Sequence, residues 1–319
     1  MRHIILPFLL ILLLTSAGAQ TQTPPTSAAD YFYRGLAHHT KGELDEAIKD
    51  YDKALEINPQ IAEAYYNRGL ARYSKDDIDG SISDYSKALT INPQDSKTYN
   101  NRGIARYRKN DLDGAIADLD KAIEIDPKLA EAYFTRGKAH SKKGDFDKAI
   151  SDYNNVLKIT PQDFKAYYNR GLARDTAGDS DGAISDYTKA IEINSQHAAS
   201  YINRGLARDD KGDLDGAIAD YNRALEINPQ DAEAYNNRGL AREGKGEYDG
   251  AIADFNKAIE INSQYAEAYG NRGLVRLIQG KDAEAQQDFD KCFQIDSSLK
   301  TTFEEEANRI KQLRKTKGK

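Results

Sequence analysis

The stretch Asn-Arg-Gly-Leu-Ala-Arg begins at Asn67 and returns at Asn169, Asn203 and Asn237, with Ile or Val substituted in the copies from Asn101 and Asn271. Each copy places one amide and two guanidinium groups within six residues, and an aspartate follows the first arginine by sixteen: Asp84 after Arg68, Asp186 after Arg170, Asp220 after Arg204. Two chemistries suit this spacing. A row of guanidinium groups can grip an anionic ligand through its fork of donors, or each can pair with its aspartate inside the fold, since buried charge is normally neutralised by a partner. The constant offset predicts the pairs Arg68–Asp84, Arg170–Asp186 and Arg204–Asp220; the partner of the second arginine, as in Arg72, stays open. The amide donates to a carbonyl and accepts from an N–H, so a row of asparagines can hold a main chain whatever its side chains are. The same amides can equally cap or bridge helices.

Other polar residues give little for catalysis. The five histidines, His3, His38, His39, His140 and His197, show no metal-ligand spacing, and no nucleophile elbow, phosphate-binding loop or Cys/His pair is evident. Cys292 is the single cysteine, which rules out an intramolecular disulfide and suits a small buried side chain better than a nucleophile. The expectation is a non-enzyme with no cofactor and no metal. A net charge of −6 makes nonspecific nucleic-acid binding a poor prospect.

The elements that position these groups follow from self-comparison. The Arg-Gly pair occurs at Arg34, Arg68, Arg102, Arg136, Arg170, Arg204, Arg238 and Arg272, always 34 residues apart. The units are 28–61, 62–95, 96–129, 130–163, 164–197, 198–231, 232–265 and 266–299. Within a unit, a segment such as AEAYYNRGLARYSK carries helical apolar spacing, a Gly-Asp turn follows, and LDGAIADYNRALEIN reads as a second helix. Gly212 stops the first helix of its unit and Asp213 caps the second. Two short antiparallel helices cannot bury their apolar faces alone, so units must stack into an all-α solenoid.

The termini read differently. Met1-Arg2-His3, the apolar run Ile4 to Leu14 and Ala17-Gly18-Ala19 have the order of a secretory signal peptide, residues 1–19. The run is short of the roughly 20 residues a membrane anchor needs. A flexible lead-in, 20–27, would open a secreted or periplasmic chain with no membrane span after cleavage. Residues 300–319 suit a capping helix built on Phe303, Ala307, Ile310 and Leu313, with a basic tail.

These repeats resemble the tetratricopeptide-repeat family over 28–299. The resemblance rests on an aromatic early in helix A (Tyr65, Tyr99, Tyr167), a glycine four residues on (Gly69, Gly103, Gly171), and small residues on helix B (Ser81, Ala88, Ala115, Ala122). It implies a right-handed superhelix whose concave surface is lined by the A helices. Asn67, Asn101, Asn169, Asn203, Asn237 and Asn271 would then form a ladder interrupted by Thr135, with Tyr66, Tyr73, Phe134 and Tyr168 on the same surface. The ladder resembles that in the repeat domain of the O-linked N-acetylglucosamine transferase, where asparagines hold a peptide backbone. The arginines depart from the family pattern, which has leucine where Arg68 stands and an aromatic where Arg72 stands. Leu70 and its equivalents stand where the family's carboxylate clamp needs a polar residue.

Further expectations follow from the implied surface. It passes from aromatic and basic (Tyr107, Arg108, Lys138, Lys142) to acidic (Asp175, Asp209, Asp210, Glu243) along the chain. Gly69 is expected to face Ala or Ser of helix B. The implied function is an exported scaffold or adaptor holding an extended peptide or unfolded segment of a protein partner. The alternative is a structural solenoid that self-associates, making a homo-oligomer possible.

Overall fold

A computed structural model describes residues 26–317. The expected signal segment 1–19 and most of the 20–27 lead-in lie outside the described residues. The described chain is an all-α solenoid of helical hairpins with a C-terminal helix, and it divides into two units. The first, ending at Ile91, contains α1 (Ala28–Lys41) paired with α2 (Leu44–Ile57) and α3 (Ala62–Ser74) paired with α4 (Ile78–Ile91). The second begins at Asn92 and contains six hairpins. They are α5 (Ser96–Arg108) with α6 (Leu112–Ile125), α7 (Ala130–Lys143) with α8 (Phe146–Ile159), and α9 (Phe164–Thr176) with α10 (Ser180–Ile193). Then come α11 (Ala198–Asp210) with α12 (Leu214–Ile227), α13 (Ala232–Gly244) with α14 (Tyr248–Ile261), and α15 (Ala266–Ile278) with α16 (Asp282–Ile295). A short 3-10 turn at Ser297–Leu299 leads into α17 (Lys300–Lys317).

Turn chemistry sets the hairpins. Helix A stops where one residue enters the left-handed region, as Gly212 does at φ 79°, and the next residue starts helix B. Asp111, Asp179 and Asp213 cap their helices by accepting from the amides of Gly114, Gly182 and Gly216 at 2.9–3.0 Å. Such a carboxylate satisfies an orphan donor and complements the helix dipole. Asp76 and Asn110 occupy the left-handed position without being glycine, at φ 69° and 68°.

Helices A and B close on aromatic rings in seven repeats and on Leu119 in the third. A Cβ built on Gly171 would lie 2.7 Å from Cε1 of Tyr187, and one on Gly69 would lie 2.7 Å from Cε1 of Tyr85. This corrects the expectation that the glycine faces Ala or Ser: it makes room for the helix-B aromatic four residues further on. Tyr85, Tyr187 and Tyr221 are fully buried as a result, and contact with a large ring offsets the propensity cost of glycine in a helix, about 1 kcal/mol.

In the last hairpin, Phe303, Ala307 and Ile310 of α17 join Leu274, Leu277, Phe289 and the fully buried Cys292 in one core. Burial pushes the Cys292 thiol up to about 11, which leaves it protonated and inert. Leu313, expected in the same cap, is 51% exposed: α17 packs mainly on α15, with less contact to α16, and Leu313 falls outside the core that Phe303, Ala307 and Ile310 join. Phe303 sits on Gly270, where a Cβ would come within 2.2 Å of its ring.

Candidate binding face

The arginines are placed by the pairing of helices A and B. In every repeat the first arginine meets the aspartate of helix B two-handed: Arg170 Nε donates to Asp186 Oδ2 at 2.9 Å and Nη2 to Oδ1 at 2.5 Å, and Arg204 holds Asp220 at 2.9 and 2.6 Å. Arg68 does the same with Asp84, at 2.9 and 2.6 Å. The guanidinium also lies over the tyrosine three residues before it, 5.4 Å from the ring centroid for Arg170 over Tyr167, a cation–π contact. Its remaining Nη1 reaches the B helix of the preceding repeat, as in Arg68 to Asp52 at 2.5 Å, Arg204 to Thr188 at 3.0 Å and Arg238 to Asn222 at 2.6 Å. One side chain thus joins three helices.

The second arginine meets the same aspartate. Arg72, Arg174 and Arg208 donate to Asp84, Asp186 and Asp220 at 2.7–2.9 Å. Two guanidinium groups four residues apart therefore share one buried carboxylate, which removes the repulsion they would otherwise have. His38 and His140 stand at this place in the first and fourth repeats.

The asparagines are partly spent inside the protein. Asn67 and Asn169 donate to the carbonyls of Glu63 and Lys165 in their own helices, both at 2.7 Å. Asn203 donates to the Tyr168 hydroxyl and Asn271 to Oδ1 of Asn236, both at 3.0 Å and both between neighbouring A helices. Asn101 lies beside Asn100, whose amide donates to it at 3.4 Å and to Glu131 at 2.9 Å. Asn237 is partly buried like the rest. Bridging thus accounts for two rungs, and the carboxamide oxygens of Asn169 and Asn203 accept no hydrogen bond among the described residues. Tyr66, Phe134 and Tyr168 each lean on the helix-B ring beneath them, with centroids 5.9–6.1 Å apart, so only part of each ring faces outward. Tyr73 is also partly buried.

Within the second unit, α5, α7, α8 and α9 enclose an open concavity of about 480 Å³. Tyr107, Lys138, Lys142, Ser141, Asn169 and Leu172 line it, with Phe146 and Tyr153 at its base. Lys138 and Lys142 form no ion pair among the described residues; their ammonium groups lie 4.9 and 5.8 Å from the Tyr107 ring centroid. Ser141, Leu172 and Phe146 escaped the sequence reading. The signal for Ser141 was its place four residues after Gly137, directly over the buried ring of Tyr153.

Further along the same unit that place is acidic. Asp175, Asp209 and Glu243 are partly buried, and Asp210 is exposed. Burial, then the charge of Asp210, holds the Asp175 and Asp209 carboxyls above the usual aspartate range. Burial, then Glu306 of α17, pushes Glu243 up to about 7. Among the described residues no cluster of three or more His, Cys, Asp or Glu side chains could hold a metal ion, and no helix is long and apolar enough to cross a membrane.

Comparison with known proteins shows that the chain belongs to the tetratricopeptide-repeat family. Models described as TPR repeat match 35–76, 105–144, 141–174 and 210–246, and models described as tetratricopeptide repeat match 62–95, 164–197, 232–265 and 266–299. Among solved structures, MamA is 32% identical over 54% of this chain and 94% of its own, with a TM-score of 0.51. YrrB, described as a TPR protein with an unusual peptide-binding site, is 25% identical over 58% of this chain and 95% of its own, with a TM-score of 0.52. The C-terminal part of a TPR repeat-containing protein from Cytophaga hutchinsonii, 19% identical over 75% of this chain and 98% of its own, shares the fold at a TM-score of 0.65. A search of curated proteins finds no match.

Proposed function

We propose that this chain is a non-catalytic scaffold that holds an extended segment of a protein partner along the A helices of its second unit. The observation that carries the reading is the concavity of about 480 Å³ in which two unpaired lysines and a tyrosine stand beside Asn169. Nearly every guanidinium on the A helices is committed to an aspartate, whereas the Lys138 and Lys142 ammonium groups are not, so these two are donors kept for a visitor. The carboxamide oxygens of Asn169 and Asn203 would accept main-chain N–H groups, and the lysines an acidic side chain. Similarity to YrrB and MamA supports the class of activity. Export, resting on the order of residues 1–19, is part of the proposal, and N-terminal analysis of the protein from cells tests it: Met1 retained would refute it.

A randomised peptide-display library panned against the protein tests the binding. Enriched peptides should lose one to three orders of magnitude in affinity, roughly, when Asn169, Asn203 and Asn237 are all replaced by alanine, since each hydrogen bond is worth about 0.5–1.5 kcal/mol. Replacing Lys138 and Lys142 by alanine should weaken acidic peptides most. Peptides that bind parent and both variants equally, or an absence of enrichment, would reject the reading.

A further inference from the structure

Buried and partly buried carboxylates among the described residues are almost all occupied. Asp50, Asp84, Asp118, Asp152, Asp186, Asp220, Asp254 and Asp288 hold arginines, and Asp95, Asp163 and Asp231 cap helices. Asp175 on α9, Asp209 on α11 and Glu243 on α13 break this rule: their side chains accept no hydrogen bond and meet no base among the described residues. Each stands four residues after a helix-A glycine, above the ring of helix B.

What lies beneath them is equally unfinished. The hydroxyls of Tyr187 and Tyr221 are fully buried and have no hydrogen-bond partner among the described residues. Tyr187 lies under Gly171 and feels the charge of Asp175; Tyr221 lies under Gly205 and feels Asp209 and Asp210. In the fourth repeat, by contrast, a neutral side chain, Ser141, stands at the equivalent place beside Tyr153. A buried polar group normally has its bond made, and an unmade one marks a missing partner. A carboxylate that declines the phenol below it keeps both oxygens for something above.

We infer that Asp175, Asp209 and Asp210, continued by Glu243, form a subsite for the basic side chains of an extended polypeptide. This rests on the peptide-binding reading above and gives the bound segment a direction: acidic groups toward Lys138 and Lys142, basic groups toward α9, α11 and α13. An ammonium or guanidinium donates to these carboxylates and neutralises their mutual repulsion. The acidic residues are strung over successive helices and do not converge, which suits separate side chains and not a single metal ion. Neighbouring packed helices lie about 8–10 Å apart and an extended chain advances about 3.3 Å per residue, so basic residues about three apart fit best.

The test is fluorescence anisotropy with a labelled peptide of Lys-Ala-Ala triplets and its Glu-Ala-Ala counterpart. The lysine peptide should bind the parent. The Asp175→Asn/Asp209→Asn/Asp210→Asn variant should bind it at least about tenfold more weakly, the scale of two charge-assisted bonds. A control carrying Glu192→Gln, Glu226→Gln and Glu260→Gln, which loses the same charge from exposed sites on B helices, should bind as the parent does. Equal loss in both variants, or no binding to the parent, overturns the subsite. Should the triple aspartate variant fold poorly, Asp209→Asn alone carries the comparison, and a loss no greater than that of Glu226→Gln alone has the same meaning. Library peptides that still depend on the asparagines when the lysine peptide does not bind leave the groove standing without this subsite. The lysine-peptide result without library enrichment does the reverse.

Discussion

One carboxylate neutralising two guanidinium groups is the residue-scale feature that most distinguishes these repeats. It also changes what a single substitution does. In the fifth repeat Asp186 keeps Arg174 at 2.9 Å if Arg170 is lost, whereas in the fourth repeat Asp152 meets, among the described residues, only the guanidinium of Arg136, at 3.0 and 2.6 Å, because His140 stands in the second place. Arg136→Leu should therefore cost about 3–5 kcal/mol, the usual penalty for stranding a buried charge, and Arg170→Leu clearly less. Arg136→Leu with Asp152→Leu should recover much of the loss. Urea unfolding of the three variants decides it; equal destabilisation by the two single changes would show that the second arginine carries none of the aspartate's charge.

At the scale of elements, the turn between helices A and B is where the repeats differ in quality. Asp76 and Asn110 hold left-handed backbone at φ 69° and 68° where five of the six A helices in the second unit use or precede a glycine. That conformation strains an L side chain, less so for Asp and Asn. Asn110→Gly should stabilise the protein by a few tenths to about 1 kcal/mol, while Gly212→Ala should destabilise it by about 1 kcal/mol, both read by thermal melting. A rise in stability for Gly212→Ala would mean that its turn relaxes freely.

Much of this level was legible in the residues. The 34-residue spacing set the helix pairs, and the Arg-to-Asp offset of sixteen anticipated which groups would meet. Periodicity does not say which residue of helix B lies opposite a given residue of helix A, so Gly69 was matched to a small residue when Tyr85 fills its space. Leu313 was misplaced for a related reason: helical spacing predicts a face, and only a neighbouring helix makes that face a core. The asparagines were legible as a row but not as donors already engaged, since Tyr168 and Asn236 reach them from the adjacent repeat.

Across the whole molecule, the unpaired acids make stability depend on pH in an unusual sense. The Glu243 carboxyl, pushed from 4.5 up to about 7, stays protonated in the fold while the unfolded chain has already released its proton. The folded state thus binds more protons between those values, and stability falls as pH rises through that window. Glu243 therefore lowers melting temperature from about pH 4.5 to about pH 7, against the opposite contribution of His39 and His197, whose imidazoles burial holds below the usual range; Glu243→Gln should remove the falling component. An unchanged slope in the variant would assign the dependence to other groups.

Phe303 resting on Gly270 has a consequence for how such an array can change length. Repeat chains grow when a unit is copied in tandem, and most units here could be copied with their contacts intact, because each arginine finds its aspartate at the same offset. The eighth cannot be copied freely: its glycine stands where other repeats carry Tyr168, Ile202 or Asn236, and it is shaped to receive a helix that is not itself a repeat. A duplicate of it placed internally would leave a hole where Phe303 now sits. Lengthening by duplication is therefore favoured among the inner units, and the last hairpin stays a matched pair with α17.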